Sequence, residues 1–375
     1  MVDIIIIKTS DAIFDPRVFK IFKSLSKKYS VLVLGWNREG VTRNKINNSI
    51  LDVELLNFKA PFGRRPSLIS YFNMLIYYTL FWTWVLFKLI IYRPQVVHAY
   101  DVDTVLPCLF YKLIFRKKVV FDASVRYAMA YIPTKSKTLY SIVNWLEELL
   151  CTRADVLVNG WEKELKTFRR RPKNCVTIMN CPEDYASNGT NSEHKDANVN
   201  FRLVYTGGIR SGRSLENVAA AIKGLKDIEL VMAGQVVDKN LFDQILRIPN
   251  LKYKGFMDPR EALNLEVSSD VMIALYDLNV PWNSTTTPNK LFEAMMCGIP
   301  IITNASADIV KEVDCGILVS YDDVDNIRAA ILTFRDNAAL RRKLGLNGRK
   351  AFLEKYNWMK MEEELFKLYE RLLRK

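Results

Sequence analysis

Short apolar runs rich in isoleucine and valine alternate along the chain with segments of helical length. In the first half they are DIIIIK at 3–8, YSVLVLGW at 29–36, PQVVHA at 94–99, KKVVFD at 117–122 and ADVLVN at 154–159. Runs apolar at nearly every position belong to strands covered on both faces, and their separation by helices predicts a parallel, doubly wound sheet. The pattern then stops. PEDYASNGTNSEHKDANVN at 182–200 is polar, rich in breakers and aperiodic, which predicts a linker over 181–200. The rhythm restarts with FRLVYTGG at 201–208, DIELVMAG at 227–234, LKYKGF at 251–256, SDVMIALY at 269–276, GIPIIT at 298–303 and GILVS at 316–320. Two lobes of one α/β class are expected, 1–180 and 201–356. Ligands of such sheets collect outside the carboxyl ends of the strands, so a cleft between the lobes is the expected site.

One segment departs from this rhythm. Residues 68–92, LISYFNMLIYYTLFWTWVLFKLIIY, carry Lys88 as their only charge. Length alone permits a membrane span. A crossing would leave strands of one sheet on opposite sides of a bilayer, so a helix buried against protein or an interfacial helix fits better. The interfacial reading is preferred, with Tyr and Trp at headgroup level and Arg64, Arg65 and Arg93 flanking them.

Composition narrows the picture. A chain of 375 residues suits two domains. Its 54 Lys and Arg against 41 acidic residues give +13, which favours a phosphate, nucleic-acid or anionic-membrane partner. The basic runs FRRRPK at 168–173 and RRK at 341–343 lack interleaved aromatics, so no nucleic-acid partner is expected. Six scattered cysteines fit reduced thiols in the cytoplasm, and MVDIIIIKTS reads as a first strand, not a secretion signal. With two histidines, and with DVD at 101–103 placed where Asp commonly caps a helix, no metal site is expected.

Two stretches carry candidate chemistry. In TTTPNKLFEAMMCGIPIIT at 285–303, Thr287 suits an N-cap and Pro288 the first helical position. Asn289, Lys290 and Glu293 then share one face while Leu291, Phe292 and Met295 turn inward. A helix start with a lysine attracts anions, and a carboxylate accepts two hydrogen bonds from vicinal hydroxyls. An exposed Lys-Glu pair is the plain alternative. In YTGGIRSGRSLENVAAAIKGL at 205–225, Gly207 and Gly208 permit close backbone approach, and Arg210 and Arg213 precede a helix. Together the stretches suit a diphosphate and its pentose. His98, ending the strand QVVH, lines the cleft or makes a structural hydrogen bond.

With DPRV, LGW, RPQVVHAYDVDT, KVVFDAS, LVYTGG, LVMAG, YKGF, PNKLFEAMMCGIPIIT and EKYNWMKMEEELFKLYERLL in this order, essentially the whole chain resembles the retaining glycosyltransferases of family 4. The resemblance implies a GT-B fold: two Rossmann-like doubly wound domains with a cleft between them, and a terminal helix, 357–375, returning to the first domain. It implies that Glu293 binds the ribose hydroxyls and that Arg213 replaces a phosphate-binding lysine. Gly207, Gly208 and Ile209 would line the phosphates, Asn289 and Lys290 would assist there, and backbone near Phe256 would meet the base. Arg213, Lys290 and Glu293 are the implied catalytic group, with Arg210 beside them. Thr285 stands where many relatives have a glutamate facing the donor sugar. Ser124 stands where close relatives often have histidine, a role left to neighbours such as Asp122 or Arg126. Asp15 and Arg17 join His98, Asp122, Ser124 and Arg126 as acceptor-side candidates, a structural salt bridge being the alternative for the first two.

The resemblance implies transfer from a UDP- or GDP-sugar to a hydroxyl of a lipid-linked or glycan acceptor, with retention, in polysaccharide or glycoconjugate biosynthesis. No cofactor or metal is implied, because fixed cations hold the diphosphate. The basic charge and the segment 68–92 place the protein at the inner face of the cell membrane. A catalytically silent binding subunit of the same fold and a nucleotide-sugar epimerase are the alternatives.

Overall fold

The computed structural model describes residues 2–9, 15–38, 52–60, 68–123, 126–132, 136–186, 201–285 and 287–374. Ser124, Arg64, Arg65 and most of the expected linker lie outside the described residues. The chain forms two compact units, Met1–Met179 with Glu362–Lys375, and Asn180–Met361.

The first unit holds strands β1 Ile4–Lys8, β2 Val31–Asn37, β3 Val53–Asn57, β4 Val96–Tyr100, β5 Lys118–Ala123, β6 Val156–Asn159 and β7 Cys175–Thr177. Its helices are α1 Pro16–Leu25, α2 Leu68–Tyr92, α3 Val102–Phe115, α4 Tyr127–Tyr131, α5 Lys137–Cys151 and α6 Glu162–Leu165. The sheet runs β3-β2-β1-β4-β5-β6-β7, all parallel. Ile4 through Ile7 are fully buried, as a strand covered on both faces requires. At roughly 1.5–3 kcal/mol for each buried side chain, β1 alone supplies on the order of 10 kcal/mol before the cost of ordering it. The strands absent from the sequence-based expectation are β3 and β7. Both lie at sheet edges and are only half buried, so neither carries a continuous apolar run.

Helix α2 occupies the expected segment. Tyr78, Phe81, Val85 and Leu89 form its buried stripe, and Trp36 of β2 stacks on Phe81 at 5.5 Å between ring centroids. Its other face leaves Leu75, Ile76, Leu80, Phe87, Ile90 and Ile91 exposed. The helix is thus neither wholly buried nor wholly free.

The second unit holds β8 Phe201–Thr206, β9 Ile228–Ala233, β10 Leu251–Tyr253, β11 Val271–Ala274, β12 Ile301–Thr303 and β13 Gly316–Leu318. Its helices are α7 Leu215–Ile222, α8 Lys239–Ile245, α9 Pro259–Val267, α10 Pro281–Thr285, α11 Asn289–Cys297, α12 Ala307–Val313, α13 Val324–Asp336 and α14 Ala338–Glu354. The parallel sheet runs β10-β9-β8-β11-β12-β13. Each sheet reverses its strand order once, between β1 and β4 and between β8 and β11. Those switch points open a crevice beyond the strand ends, which fixes where ligands of each unit belong.

The last helix, α15 Trp358–Leu373, belongs to the first unit from Glu362 onward. Glu362 and Glu370 pair with Lys27 and Lys28 at 2.7 and 2.9 Å, and the Tyr369 hydroxyl lies 2.6 Å from His98 Nδ1.

Candidate active site

In the second unit the switch point is the turn after β8, residues 207–213, together with the segment after β11. Gly234 is what lets this turn form. Its φ is +139°, and a Cβ there would sit 2.0 Å from the Gly207 carbonyl oxygen. The turn leads Arg213 onto the face of Tyr276, with its guanidinium 4.3 Å from the ring centroid. Its Nη1 is buried and has no hydrogen-bond partner, and neither Arg210 nor Arg213 forms an ion pair among the described residues. A stacked, fixed guanidinium with an unmet donor is a site for an anion.

Helix α11 brings the second group. Lys290 Nζ is held by Glu293, one turn along the same helix, and by Glu266 Oε1 of α9 at 2.9 Å. Burial opposes the Lys290 charge, but the Glu293 and Glu266 carboxylates outweigh it and hold the ammonium well above its ordinary range. Glu266 is itself buried and accepts a hydrogen bond from the Thr206 hydroxyl at the end of β8. Burial lifts its pKa to about 7 against the opposing pull of Lys290. Glu293 keeps about a quarter of its side chain exposed, so its carboxylate is open to a ligand.

The two groups converge. Burial raises the Tyr276 hydroxyl to about 12, and the charges of Arg213, Lys290 and Glu293 all act on it. Burial likewise raises Tyr205, against Arg213, Lys290 and Arg210 together. Arg213, Lys290 and Glu293 thus share the surroundings of Tyr276, and Arg210 joins the two cations around Tyr205, at the carboxyl edge of a single sheet. Beside them Arg210, Ser211, Asp238 and Lys239 line a cavity of about 390 Å³.

Several expectations need correction. Thr287 is not the N-cap. The helix starts at Asn289 with Pro288 in the cap position, making no side-chain cap bond, and Thr287 Oγ1 is buried without a partner. The Gly207 and Ile209 amides do not face a ligand, since they donate to the Ala233 and Gln235 carbonyls at 2.9 Å and so hold the turn itself. Asn289 is exposed, with the Asn180 side chain 3.3 Å from its Oδ1. The Thr285 hydroxyl turns back to the Pro281 and Trp282 carbonyls of α10, both at 3.3 Å. For Phe256 the expectation concerned the backbone nearby and stands uncorrected, the residue itself being 82% exposed.

Most acceptor-side candidates are internal ties of the first unit. Arg17 lies in α1 and not in a loop. It is buried on Asp122, with Nε and Nη2 each 3.2 Å from a carboxylate oxygen and Nη1 donating to the Ile178 carbonyl. His98 Nε2 lies 3.2 Å from Asp122, so the histidine joins that carboxylate to Tyr369 of α15. Burial opposes the Asp122 charge, yet Arg17 and His98 hold its pKa below the usual carboxylate range. Arg126 stacks on Phe168 at 3.6 Å and bonds Thr167 and Asn144, and it is fully enclosed. Asp15 caps α1 through the Arg17 and Val18 amides. The structural alternative therefore describes these residues better than an acceptor-facing role.

Sequence reasoning missed Glu266, Tyr276 and Thr206. The signal for Glu266 was present, because PREALNLEV puts that glutamate on the same helical stripe as Ala262 and Leu263. Among the described residues no group of three or more His, Cys, Asp or Glu is arranged to hold a metal ion. Asp101 instead pairs with Lys8 at 2.9 Å.

Residues 210–367 match the family described as glycosyl transferase-like. An uncharacterized glycosyltransferase of Methanocaldococcus jannaschii is 25% identical over 72% of this chain and 73% of its own length. The sucrose-phosphate synthase of Thermosynechococcus elongatus superposes with a TM-score of 0.75 at 15% identity, covering 99% of both chains. Anabaena HepE, solved in complex with UDP and glucose, superposes at 0.72 with 13% identity, covering 99% of this chain and all of that one. The architecture is that of the GT-B glycosyltransferases.

Proposed function

We propose that this glycosyltransferase moves a sugar from a UDP- or GDP-sugar to a hydroxyl of a lipid-linked or glycan acceptor, with retention, in polysaccharide or glycoconjugate synthesis. The observation that carries the donor reading is the Arg213 guanidinium, fixed on Tyr276 with a buried Nη1 that no described residue meets. Arg210, Arg213 and Lys290 take up the negative charge that grows on the diphosphate as its bond to the anomeric carbon breaks. The acceptor oxygen replaces it on the same face, and its proton passes to the departing phosphate. Each well-placed donor contributes about 3 kcal/mol to that step. Glu293 accepts the ribose hydroxyls, and these fixed cations serve the leaving group without a divalent metal. HepE, bound to UDP and glucose, supports a nucleotide-sugar donor.

The apolar outer face of α2, with Leu80 and Phe87 exposed, supports peripheral contact through 68–92 at the cytoplasmic face of the membrane. One observation favours a second reading. Thr285 has no carboxylate and spends its hydroxyl donor on the Pro281 and Trp282 carbonyls of α10, so it offers the donor sugar little, as in a subunit that binds donor without transferring it.

The test is a panel of UDP- and GDP-sugars screened for thermal stabilisation, then assayed for transfer in the presence of a chelator. Glu293→Ala should weaken the stabilising donor about 10- to 100-fold, the worth of hydrogen bonds to a charged group. Stabilisation without turnover would select the silent subunit, and donor conversion without acceptor an epimerase. No stabilisation by any member would reject the assignment.

A further inference from the structure

The first unit carries an apolar surface that α2 does not account for. Helix α3 turns Phe110, Leu113 and Ile114 outward, and Leu113 is 78% exposed. Helix α5 does the same with Leu139, Ile142, Trp145 and Leu146. Both stripes recur at helical spacing on the side away from the sheet, where a surface helix normally places polar residues. Helix α3 packs against both α2 and α5, so the three apolar outer faces are neighbours, and contiguous exposed apolar surface of this kind marks an interaction site.

Between α3 and α5 the surface opens into a groove of about 800 Å³, walled by Leu109, Leu113 and Leu150. Its rim is basic. Lys112, Arg116, Lys117, Lys118 and Arg153 surround the single carboxylate of Asp155. Asp155 is already satisfied by Lys112 at 2.9 Å and Lys118 at 3.6 Å, while Arg116 and Arg153 form no ion pair among the described residues. An apolar trough edged by unmatched guanidiniums is complementary to a molecule with an acyl chain and an anionic phosphate, and Trp145 beside it suits the headgroup level.

We propose that the α3–α5 face seats on an anionic phospholipid bilayer, the groove taking a lipid headgroup and the stripes of α3 and α5 entering the boundary of the acyl region. This deepens the peripheral-membrane part of the function proposed above and moves the centre of the contact from α2 to α3 and α5.

Co-sedimentation of the full chain with vesicles tests it, using phosphatidylcholine alone or mixed with phosphatidylglycerol. The wild type should partition onto the mixed vesicles, release at high salt, and show a blue shift of tryptophan emission that Trp145→Ser reduces. Arg116→Gln with Arg153→Gln should lower partition about 25-fold, about fivefold for each cation lost near an anionic surface. Leu113→Ser with Ile142→Ser should lower it at low salt as well. Equal binding to neutral vesicles, or no binding to either kind, would overturn the proposal. So would sensitivity confined to Leu80→Ser with Phe87→Ser, which places the contact on α2 alone, or a vesicle-free dimer that Leu113→Ser dissociates, which gives the face to a second copy. Donor-induced thermal stabilisation, measured on every variant, reports folding and the donor site separately. Loss of vesicle binding and loss of the donor reading are thereby told apart.

Discussion

Replacing Glu266 with glutamine separates the titration of this buried carboxyl from its shape. The glutamate is 2% exposed and sits between the Thr206 hydroxyl and Lys290 Nζ. Burial lifts its pKa from the usual 4.5 to about 7. A carboxyl raised in this way holds its proton more tightly in the folded chain than in the unfolded one. Its contribution to stability is complete below about pH 4.5 and is lost as pH rises through about 7. At roughly 1.4 kcal/mol per pH unit over that window, the loss by pH 8 is on the order of 3 kcal/mol. Glutamine keeps the volume and an acceptor oxygen but does not titrate. Urea unfolding followed by circular dichroism at pH 5, 6, 7 and 8 reads the difference. The variant should lie within about 1 kcal/mol of the wild type at pH 5 and gain on it by on the order of 3 kcal/mol at pH 8. Glu164, raised by burial to about 7 as well, adds a similar slope to both proteins and cancels in the comparison. Parallel curves for the two proteins would refute the reasoning, since they would mean that Glu266 is ionised throughout and Lys290 is anchored by a permanent ion pair.

Gly234→Ala should lower the second unit's stability by at least about 3 kcal/mol, because its Cβ meets the Gly207 carbonyl at 2.0 Å, and a calorimetric Tm should fall by roughly 6–12 °C. Arg213→Lys keeps the charge and loses the planar stack on Tyr276, so calorimetric titration with a nucleoside diphosphate should show about tenfold weaker binding, against about 100-fold for Arg213→Ala. Equal losses for the two would show that the stack, and not the charge, holds the ligand. Tyr369→Phe removes the 2.6 Å hydrogen bond to His98 and strands a buried ring nitrogen, a loss of about 1–3 kcal/mol in urea unfolding of the first unit.

How much of this could be read from the sequence follows from what each residue does with its neighbours. The central strands announce themselves because burial on both faces leaves no polar position in a run such as IIII, whereas β3 and β7 have one open side and look like loops. The Lys290/Glu293 face was legible because helical spacing alone puts those residues together. The same spacing turns Glu266 inward but could not reveal its tie to Lys290, which is 24 positions away and meets it only through the packing of α9 on α11. Arg17, His98 and Asp122 show the opposite error. Ionisable residues expected near strand ends suggest a site, and only the fold puts Arg17 in α1 and His98 in the middle of β4 and shows that they satisfy Asp122 and the carbonyl of Ile178.

That contrast bears on which unit takes the anion. The six strands of the second sheet follow the same order as the first six of the first sheet, which gives the same kind of crevice at the switch point. In the first unit the polar groups there are self-neutralising: Lys8 lies 2.9 Å from Asp101 and 3.5 Å from Asp15, and Arg17 closes on Asp122. An anion entering would have to break buried pairs, and breaking such a pair costs about 3–5 kcal/mol. In the second unit the charges are deliberately unequal. Glu266 and Glu293 fix Lys290, but among the described residues Arg210 and Arg213 remain uncompensated, and Arg213 offers a buried donor that none of them fills. A diphosphate settles that imbalance without displacing any internal partner, so the same topology yields a closed polar core in one unit and an anion site in the other.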